Sequence, residues 1–466
     1  MNYISTRGDA PTLNFEDTLL AGLARDGGLY VPEQWPTLDA AALRRLQGRP
    51  YPEVAAAVMR LFVGDTLTPA ELQDIVDQAY ARFRHHSVAP LVQIGPDEWV
   101  MELWHGPTLA FKDVAMQVLA RLYDHALAKR DQTLTIVGAT SGDTGSAAIE
   151  AVRGRERACI FIMHPHGRTS EVQRRQMTTV LDNNVHNLAI EGTFDDCQDI
   201  LKSLFNDHAF RDEVSLSGVN SINWARVLPQ VVYYVTAALS LGLDRPPVFA
   251  VPTGNFGDVF AGYVATKLGL PVRRLLVATN VNDILWRTLS AGDHSLAGVT
   301  PTMSPSMDIQ VSSNFERLLF DLYKRDPRKI ASMMAQLKEN RKFEISKDAL
   351  QQASDLFAAE RVDEAETLAM IGQVYRETEY LIDPHTAVGV AAYRRFKAAQ
   401  GSNFRGPGVM LSTAHPAKFP DAVERATGVR PPLPEEMADL YEREERYDVL
   451  PADVQAVKDY ILGKRR

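Results

Sequence analysis

From residue 99 onward, short apolar runs alternate with stretches of helical periodicity. The apolar runs predict strands at Trp99–Leu103, Leu134–Val137, Ala158–Met163, Val185–Ile190, Val248–Val251, Leu275–Thr279 and Gly408–Ser412. The stretches between them predict helices that include Asp113–Ala126, Ser146–Val152, Asp195–Phe205, Val259–Leu268 and Thr386–Ala399. This alternation is typical of an open, mostly parallel α/β sheet with helices on both faces. In such sheets, ligands bind at the carboxyl ends of the strands.

Other regions of the chain have a different sequence pattern. Residues 1–88 predict a small, mostly helical N-terminal domain, and residues 89–425 predict a core of two α/β subdomains. Within the core, the stretch from about 282 to 373 is polar and helical, which predicts an insertion. Residues 426–466 are charged and predict a helical C-terminal tail.

Composition excludes several classes of protein. The net charge of −9 argues against a nucleic-acid binder, which normally presents a basic face. The two cysteines, Cys159 and Cys197, exclude a disulfide framework and a zinc site of several thiolates, and we predict no metal site. The N-terminus lacks the regions of a signal peptide, and no apolar run approaches the ~20 residues that span a bilayer. We therefore expect a soluble cytoplasmic protein with no nucleic-acid or membrane partner.

Two loops at predicted strand ends carry residues suited to chemistry. In His105–Asp113, Lys112 lies in the first turn of a helix, where its charge opposes the helix dipole. Such a lysine is either a solvated surface residue or an amine that forms a Schiff base with an aldehyde cofactor. The loop Gly138–Ser146 offers hydroxyls, glycines and backbone N–H groups at a helix start. It is suited to binding an anion or to forming a tight capping turn.

Two further loops follow predicted strands in the second half of the chain. Val251–Asp258 contains two glycines that let the backbone approach a phosphate, but it matches neither the P-loop nor the dinucleotide motif. Leu411–Phe419 places Thr413 and His415 after the last strand, as site residues or as parts of a capping turn. Because all four loops lie at carboxyl ends of strands in one predicted sheet, we expect them to converge.

The sequences of these loops resemble those of enzymes that depend on pyridoxal 5'-phosphate (PLP) and have fold type II, the fold of the tryptophan synthase β-subunit. They resemble those of the threonine synthase family in particular. Besides the loops, the resemblance rests on Leu23–Pro32, Gly167–Arg168, Gln176–Thr179, Asn220–Arg226, Met307–Ile309, Ser312–Arg317, Asp383–Ala387 and Ser412–Phe419. These matches extend from about residue 3 to about residue 420, and their details resemble the branch shared by fungi and many bacteria.

The resemblance implies residues that hold the cofactor. Lys112 would bind PLP as a Schiff base and later move protons. Thr413 would meet the pyridine nitrogen with a neutral hydroxyl. The residues that would hold the cofactor phosphate through the backbone are Gly254, Asn255, Phe256 and Gly257, with Asp258 beside them.

The loop after Val137 would hold the carboxylate of the amino acid or the phenolic oxygen of the cofactor. Its residues for these roles are Thr140, Ser141, Asp143 and Thr144. Asp143 stands where many relatives carry Asn. Because an acid repels a substrate carboxylate, we expect Asp143 to contact only hydrogen-bond donors or the phenolic side of the cofactor.

The implied reaction converts O-phospho-L-homoserine and water into L-threonine and phosphate, a lyase reaction by γ-elimination and β-addition of water that ends threonine biosynthesis. The candidate ligands of the substrate phosphate are Ser221, Asn223, Arg226 and Lys418. Arg226 can grip a phosphate bidentately, although a surface ion pair is the plainer interpretation. Rival interpretations are a threonine dehydratase, a phospholyase acting on O-phosphohomoserine, and a non-catalytic PLP-binding homologue. The branch suggests a monomer.

Overall fold

The computed structural model describes residues 1–140, 142–401 and 404–465. The strands are β1 Asn2–Ser5, β2 Leu13–Asn14, β3 Tyr30–Pro32, β4 Leu91–Gly95, β5 Glu98–Glu102, β6 Leu134–Ala139, β7 Ala158–Pro165, β8 Val185–Glu191, β9 Leu216–Ser217, β10 Val248–Pro252, β11 Arg274–Thr279, β12 Asp293–Ser295, β13 Lys342–Glu344, β14 Phe357–Arg361, β15 Gly408–Ser412 and β16 Asp448–Pro451. The α-helices are α1 Phe15–Ala21, α2 Ala40–Leu46, α3 Tyr51–Val63, α4 Pro69–Tyr80, α5 Lys112–Arg130, α6 Asp143–Val152, α7 Glu171–Thr178, α8 Phe194–Asn206, α9 His208–Glu213, α10 Trp224–Leu241, α11 Gly257–Lys267, α12 Ile284–Ala291, α13 Phe315–Leu322, α14 Pro327–Asn340, α15 Lys347–Ser354, α16 Glu364–Thr378, α17 Pro384–Ala399, α18 Pro420–Thr427 and α19 Val454–Lys464.

Two open sheets form the centre of the molecule. The larger has the strand order β14-β11-β10-β15-β5-β4 and is parallel except for β4, which runs antiparallel to β5. The second, β16-β8-β7-β6-β9, is parallel throughout. Strands β7 and β10 are buried along their whole length, as expected where helices cover both faces of a parallel sheet. The predicted fold class is confirmed.

The N-terminal region contains a small sheet that the sequence did not predict. Strands β1, β2 and β3 form an antiparallel sheet in the order β2-β1-β3. Each has only two to four residues, too few to show an alternating pattern. The helices α3 and α4 agree with the prediction, and α4 begins with a capping box in which Thr68 and Glu71 satisfy each other's backbone N–H groups.

Two segments predicted as peripheral helices supply edge strands to the main sheets. Strand β14, within the expected insertion, pairs with β11, and strand β16, within the expected helical tail, pairs with β8. Both strands are partly exposed and carry charged residues, so they lack the apolar runs that mark the central strands. The prediction of a purely helical tail is therefore wrong. Among the described residues, no helix is long and apolar enough to cross a membrane.

Helix α5 connects the two sheets, because it follows β5 of the larger sheet and precedes β6 of the second. The loops after β5, β10 and β15 belong to the larger sheet, whereas the loop after β6 belongs to the second. The expectation that all four loops lie on one sheet is therefore wrong. They converge because the two sheets present their carboxyl ends to a common cleft, across which Lys112 and Asp143 meet.

Candidate active site

Lys112 is the first residue of α5, and its side chain is 13% exposed. The backbone N–H of Phe111 donates to the carbonyl oxygen of Thr413 at 2.8 Å, which joins this loop to the end of β15. Burial lowers the pKa of Lys112. The Asp143 carboxylate, 3.7 Å from Nζ, opposes that shift, while the charges of Lys418 and Arg226 add to it. A buried amine with a lowered pKa is more easily deprotonated and is suited to nucleophilic chemistry.

Asp143 begins α6 and is surrounded by hydrogen-bond donors. Its Oδ1 lies 2.9 Å from Nζ of Lys418 and accepts a hydrogen bond from Nε2 of Gln173 at 2.8 Å. Its Oδ2 accepts a long hydrogen bond from the hydroxyl of Ser306 at 3.4 Å. Burial alone would raise the pKa of Asp143, but the charges of Lys418 and Lys112 hold that pKa well below its ordinary value. The carboxylate therefore stays ionised, and its contacts agree with the expectation of donors only.

The loop that follows β10 is built to approach an anion closely. A Cβ at Gly254 would lie 2.5 Å from the carbonyl oxygen of Ser306, so only glycine fits there. Phe256 has a φ of 61°, a left-handed conformation that turns the chain into α11. The hydroxyl of Ser312 donates to the Gly254 carbonyl at 2.6 Å, and the Ser313 N–H donates to Oδ1 of Asn255 at 2.6 Å. A fixed glycine turn at a helix N-terminus suits a phosphate.

Arg226 is a buried cation that has no ion-pair partner among the described residues. It is 2% exposed, and none of the residues in 1–140, 142–401 and 404–465 forms an ion pair with it. Nη1 donates to the carbonyl of Val219, and Nε has no hydrogen-bond partner among the same residues. Burial lowers the pKa of the guanidinium to about 10. An unpaired buried charge is costly unless a ligand supplies the counter-charge, so this side chain suits an anionic substrate group.

These groups fit PLP. Lys112 supplies an amine for the aldehyde carbon, and the Gly254–Gly257 turn suits the cofactor phosphate. Thr413 lies directly after β15 and is 7% exposed, and its hydroxyl makes no hydrogen bond within the part of the chain that the structure describes. That hydroxyl is therefore available to a ring nitrogen.

Family models cover most of the chain. Residues 2–80 match the model of the threonine synthase N terminus, residues 84–334 match that of PLP-dependent enzymes, and residues 386–461 match that of the threonine synthase C-terminal region. A threonine synthase from Pseudomonas aeruginosa is 53% identical over 463 residues, covering 99% of this chain and 98% of that protein.

Solved structures agree with the sequence relatives. A PLP-bound threonine synthase from Brucella melitensis superimposes with a TM-score of 0.96 at 54% identity, covering 100% of both chains. The threonine synthase of yeast superimposes with a TM-score of 0.94 at 41% identity, covering 99% of this chain and 98% of that one. The chain belongs to the threonine synthase family. It is a PLP-dependent enzyme of fold type II, as the resemblance implied.

Membership of the threonine synthase family leaves each site residue to be judged on its own contacts. Two predicted ligands of the substrate phosphate, Asn223 and Lys418, already bond to other protein groups, which does not support that role. The amide of Asn223 caps α10 and donates to the carbonyl of Leu19 at 2.9 Å and to the hydroxyl of Tyr123 at 3.0 Å. The ammonium of Lys418, in a short 3-10 helix, is fully buried and already contacts three protein oxygens. Those oxygens belong to Thr108 at 2.7 Å, Gln176 at 2.8 Å and Asp143 at 2.9 Å.

Two other predicted residues, Asp258 and Ser221, lie at or beside the loop that follows β10. The carboxylate of Asp258 accepts hydrogen bonds from the hydroxyls of Tyr233 and Tyr234 on α10, so its Oδ1 is used by α10 rather than by the loop. The hydroxyl of Ser221 accepts hydrogen bonds from the amides of Asn255 and Asn314. Ser221 therefore lies beside the turn that suits the cofactor phosphate.

The loop after β6 holds its shape through a threonine hydroxyl. Oγ1 of Thr140 accepts hydrogen bonds from the N–H groups of Gly142 at 2.9 Å and Gly145 at 3.0 Å. That hydroxyl therefore orders the turn, and its expected role in binding substrate is not supported by these contacts. Thr144 lies in the first turn of α6, where its expected role stays a prediction. Ser141 lies outside the described residues.

Sequence reasoning gave no role to several residues that organise the site. Gln173 and Gln176 of α7 hold Asp143 and Lys418, and Ser306 bridges Asp143 and the Gly254 turn. Ser312–Asn314 hold the same turn from the other side. Gln176 and Ser312–Asn314 lie within segments typical of the threonine synthase family, but a segment of sequence does not show which atom a side chain contacts.

Proposed function

We propose that this chain converts O-phospho-L-homoserine and water into L-threonine and phosphate. The observation that carries the proposal is a cleft that holds a buried amine, Lys112, together with an unpaired buried cation, Arg226. The first suits PLP chemistry on an amino acid, and the second suits a substrate that carries a phosphate. The membership of the family supports the same reaction.

Lys112, the Gly254–Gly257 turn and Thr413 would hold the cofactor. Bound PLP supplies an electron sink, which makes the protons at the α-carbon and then at the β-carbon of the substrate removable. Nζ of Lys112 is the group placed to take and return those protons, because its lowered pKa favours the neutral amine that accepts a proton. Since the transfers occur one after another, a single base can serve several of them.

Asp143 keeps the charge balance around Lys112. Its carboxylate is ionised, lies 3.7 Å from Nζ, and is fixed by Lys418 and Gln173. The two lysines neutralise the charge of Asp143, which lessens its repulsion of a substrate carboxylate. Phosphate leaves from the γ-carbon, and Arg226 stabilises the charge on the leaving oxygens.

The first experiment compares the wild type with Lys112→Ala. We expect the wild type with PLP to release phosphate and threonine in equal amounts from O-phosphohomoserine. The variant should lose roughly 10²–10⁴-fold in kcat, the usual contribution of a positioned acid–base group. Release of phosphate with 2-oxobutyrate instead of threonine would identify the phospholyase rival, and deamination of threonine itself would identify the dehydratase.

The second experiment tests Arg226 as a ligand of the substrate phosphate. Arg226→Ala should raise KM by roughly 10–100-fold, since hydrogen bonds to charged groups contribute about 1.5–3 kcal/mol. The absorbance of bound PLP should stay unchanged, and Arg226→Lys should restore part of the affinity by returning the charge. An unchanged KM in Arg226→Ala would exclude the contact.

We also propose that the chain acts as a monomer in the cytoplasm. Both cysteines are buried and neither forms a disulfide, which suits a reducing compartment. Sedimentation equilibrium of the holoenzyme tests the first point, with a mass near 51.7 kDa expected. Fractionation of the source cells tests the second, and recovery of the protein outside the cytoplasmic fraction would contradict it.

A further inference from the structure

A cavity of about 690 Å³ lies between the N-terminal region and the helices α13 and α14. Its walls include the apolar side chains of Leu29, Leu319, Met334 and Leu337. The volume falls within the range of sites that bind small molecules. The catalytic candidates Lys112, Asp143, Arg226 and Thr413 are not among its lining residues, so the cavity is separate from the active-site cleft.

One polar side chain in the wall, His294, has an open hydrogen-bonding position. The ring is 3% exposed and is stacked between Phe315, with ring centroids 5.6 Å apart, and Phe343, with centroids 4.3 Å apart. Burial lowers the pKa of His294 to about 4, so the ring is neutral near pH 7. A neutral imidazole carries one N–H donor and one acceptor.

The tautomer follows from the neighbour of the ring. The Thr288 hydroxyl donates its proton to the carbonyl of Ile284 at 2.6 Å. With the hydroxyl proton on that carbonyl, the hydroxyl oxygen accepts from Nδ1–H of His294, which lies 2.9 Å away. This leaves Nε2 with a lone pair, and within the described part of the chain the ring's hydrogen bond is made by Nδ1. A ligand donor that reaches Nε2 would add a hydrogen bond that the protein itself does not make.

Other charged groups of the cavity are already engaged or lie at its rim. Arg7 binds Glu316 through two hydrogen bonds, from Nε at 3.0 Å and from Nη2 at 2.9 Å. Lys338 is exposed on α14. We propose that this cavity is a second ligand site, which binds a small molecule with an apolar body and a hydrogen-bond donor that reaches Nε2 of His294.

The cavity is connected by direct packing to the cofactor loop. The ring of Phe315 stacks on His294 and packs edge-on against Phe256, with centroids 5.1 Å apart. Ser312 and Ser313, which also line the cavity, donate the hydrogen bonds that hold Gly254 and Asn255. A ligand there would pack against the residues that fix the turn expected to hold the cofactor phosphate.

A matched pair of probes tests this site on the holoenzyme. 4-Propylphenol carries an apolar body and a hydroxyl donor, and 4-propylanisole has nearly the same shape without the donor. By isothermal titration calorimetry, we expect the phenol to bind at least about fivefold more tightly than the anisole, the effect of one buried hydrogen bond. Equal affinities, or no binding of either probe, would overturn the proposal.

Two variants assign the binding to this cavity. His294→Phe keeps an aromatic ring in the stack but removes the acceptor, and it should abolish the preference for the phenol. Met334→Trp should fill the cavity and weaken both probes, and it provides an answer even if His294→Phe does not fold. A preference for the phenol that survives in both folded variants would place the binding elsewhere and refute the site.

Discussion

Two buried aspartates occupy corresponding places in the two sheets. Asp143 lies in the first turn of the helix after β6, and Asp258 lies in the first turn of the helix after β10. Asp143 has two lysines beside it, and its pKa is held well below the ordinary value. Asp258 has two tyrosine hydroxyls and no ion-pair partner among the described residues, and burial raises its pKa to about 6. The immediate partners of a buried carboxylate, rather than its position in the fold, therefore set its pKa.

The difference in pKa between the two aspartates distinguishes the loop after β6 from the loop after β10. At Asp143, charge is concentrated on side chains, because Lys112 and Lys418 lie 3.7 Å and 2.9 Å from its carboxylate. At Asp258, the side chain is turned toward α10, which leaves the backbone of the Gly254–Gly257 turn as the binding surface. One loop therefore offers ionised side chains to a ligand, and the other offers peptide groups.

The largest effect should come from separating Asp143 from Lys418. Lys418→Met and Asp143→Asn should each lower the free energy of unfolding by about 3–5 kcal/mol, because each leaves a buried charge with fewer partners. The double variant should lose about 1–3 kcal/mol less than the sum of the single variants. Urea unfolding of the four proteins measures this coupling.

A control for that cycle is the exposed pair of Lys202 and Asp199 on α8. Lys202→Met should leave the unfolding free energy nearly unchanged, because exposed ion pairs contribute little. Additive losses in the Lys418 and Asp143 cycle would mean that the two charges do not depend on each other. The contrast with Asp258 would then rest on Lys112 and Gln173 rather than on Lys418.

The sequence identified the loops of this site better than it identified the partners inside them. Lys112, Asp143, Thr413 and the Gly254–Gly257 turn follow strand ends, and the two sheets present these ends to one cleft whatever their distance in sequence. The sheet edges were missed for the opposite reason. Strands β14 and β16 are short and half-exposed, so no local pattern distinguishes them from loops.

The two assignments that the contacts do not support share one physical cause. Lys418 and Asn223 have the chemistry of phosphate ligands, but their nitrogen atoms already donate hydrogen bonds to other protein groups. The partner of Lys418 at Thr108 is 310 residues away, and that of Asn223 at Leu19 is 204 residues away. Whether a buried donor is free for a ligand depends on such distant contacts, and residue type and spacing do not contain them.

An intermediate effect is expected in the dependence of stability on pH. The pKa of Asp258 is higher in the folded protein, about 6, than the ordinary value of 3.8, so the folded state binds more protons between these values. Stability from this group is therefore present at pH 4 and lost as the pH rises through 6. Asp258→Asn should remove this dependence on pH, which amounts to about 2–3 kcal/mol of unfolding free energy over the window.

Unfolding in urea at several pH values between 4 and 7 measures that slope. Asp143 adds none in the upper part of this window, because its lowered pKa keeps it ionised in both states, and its stabilising effect is lost only as the pH falls below about 4. Asp113, whose pKa burial also raises to about 6, should preserve part of the slope in the variant. Identical slopes in the wild type and Asp258→Asn would show that Asp258 is ionised throughout.

The smallest effect should come from removing one neutral donor from each carboxylate. Gln173→Met deletes the amide that donates to Asp143, and Tyr233→Phe deletes a hydroxyl that donates to Asp258. Each should cost about 1 kcal/mol of unfolding free energy. Their consequences for charge should differ: the lysines keep Asp143 ionised without Gln173, whereas Asp258 has no cation to replace Tyr233, and its pKa should rise further. The pH window of stability should therefore move upward in Tyr233→Phe and stay in place in Gln173→Met. The opposite pattern would mean that neutral hydrogen bonds, rather than the lysines, fix the charge of Asp143.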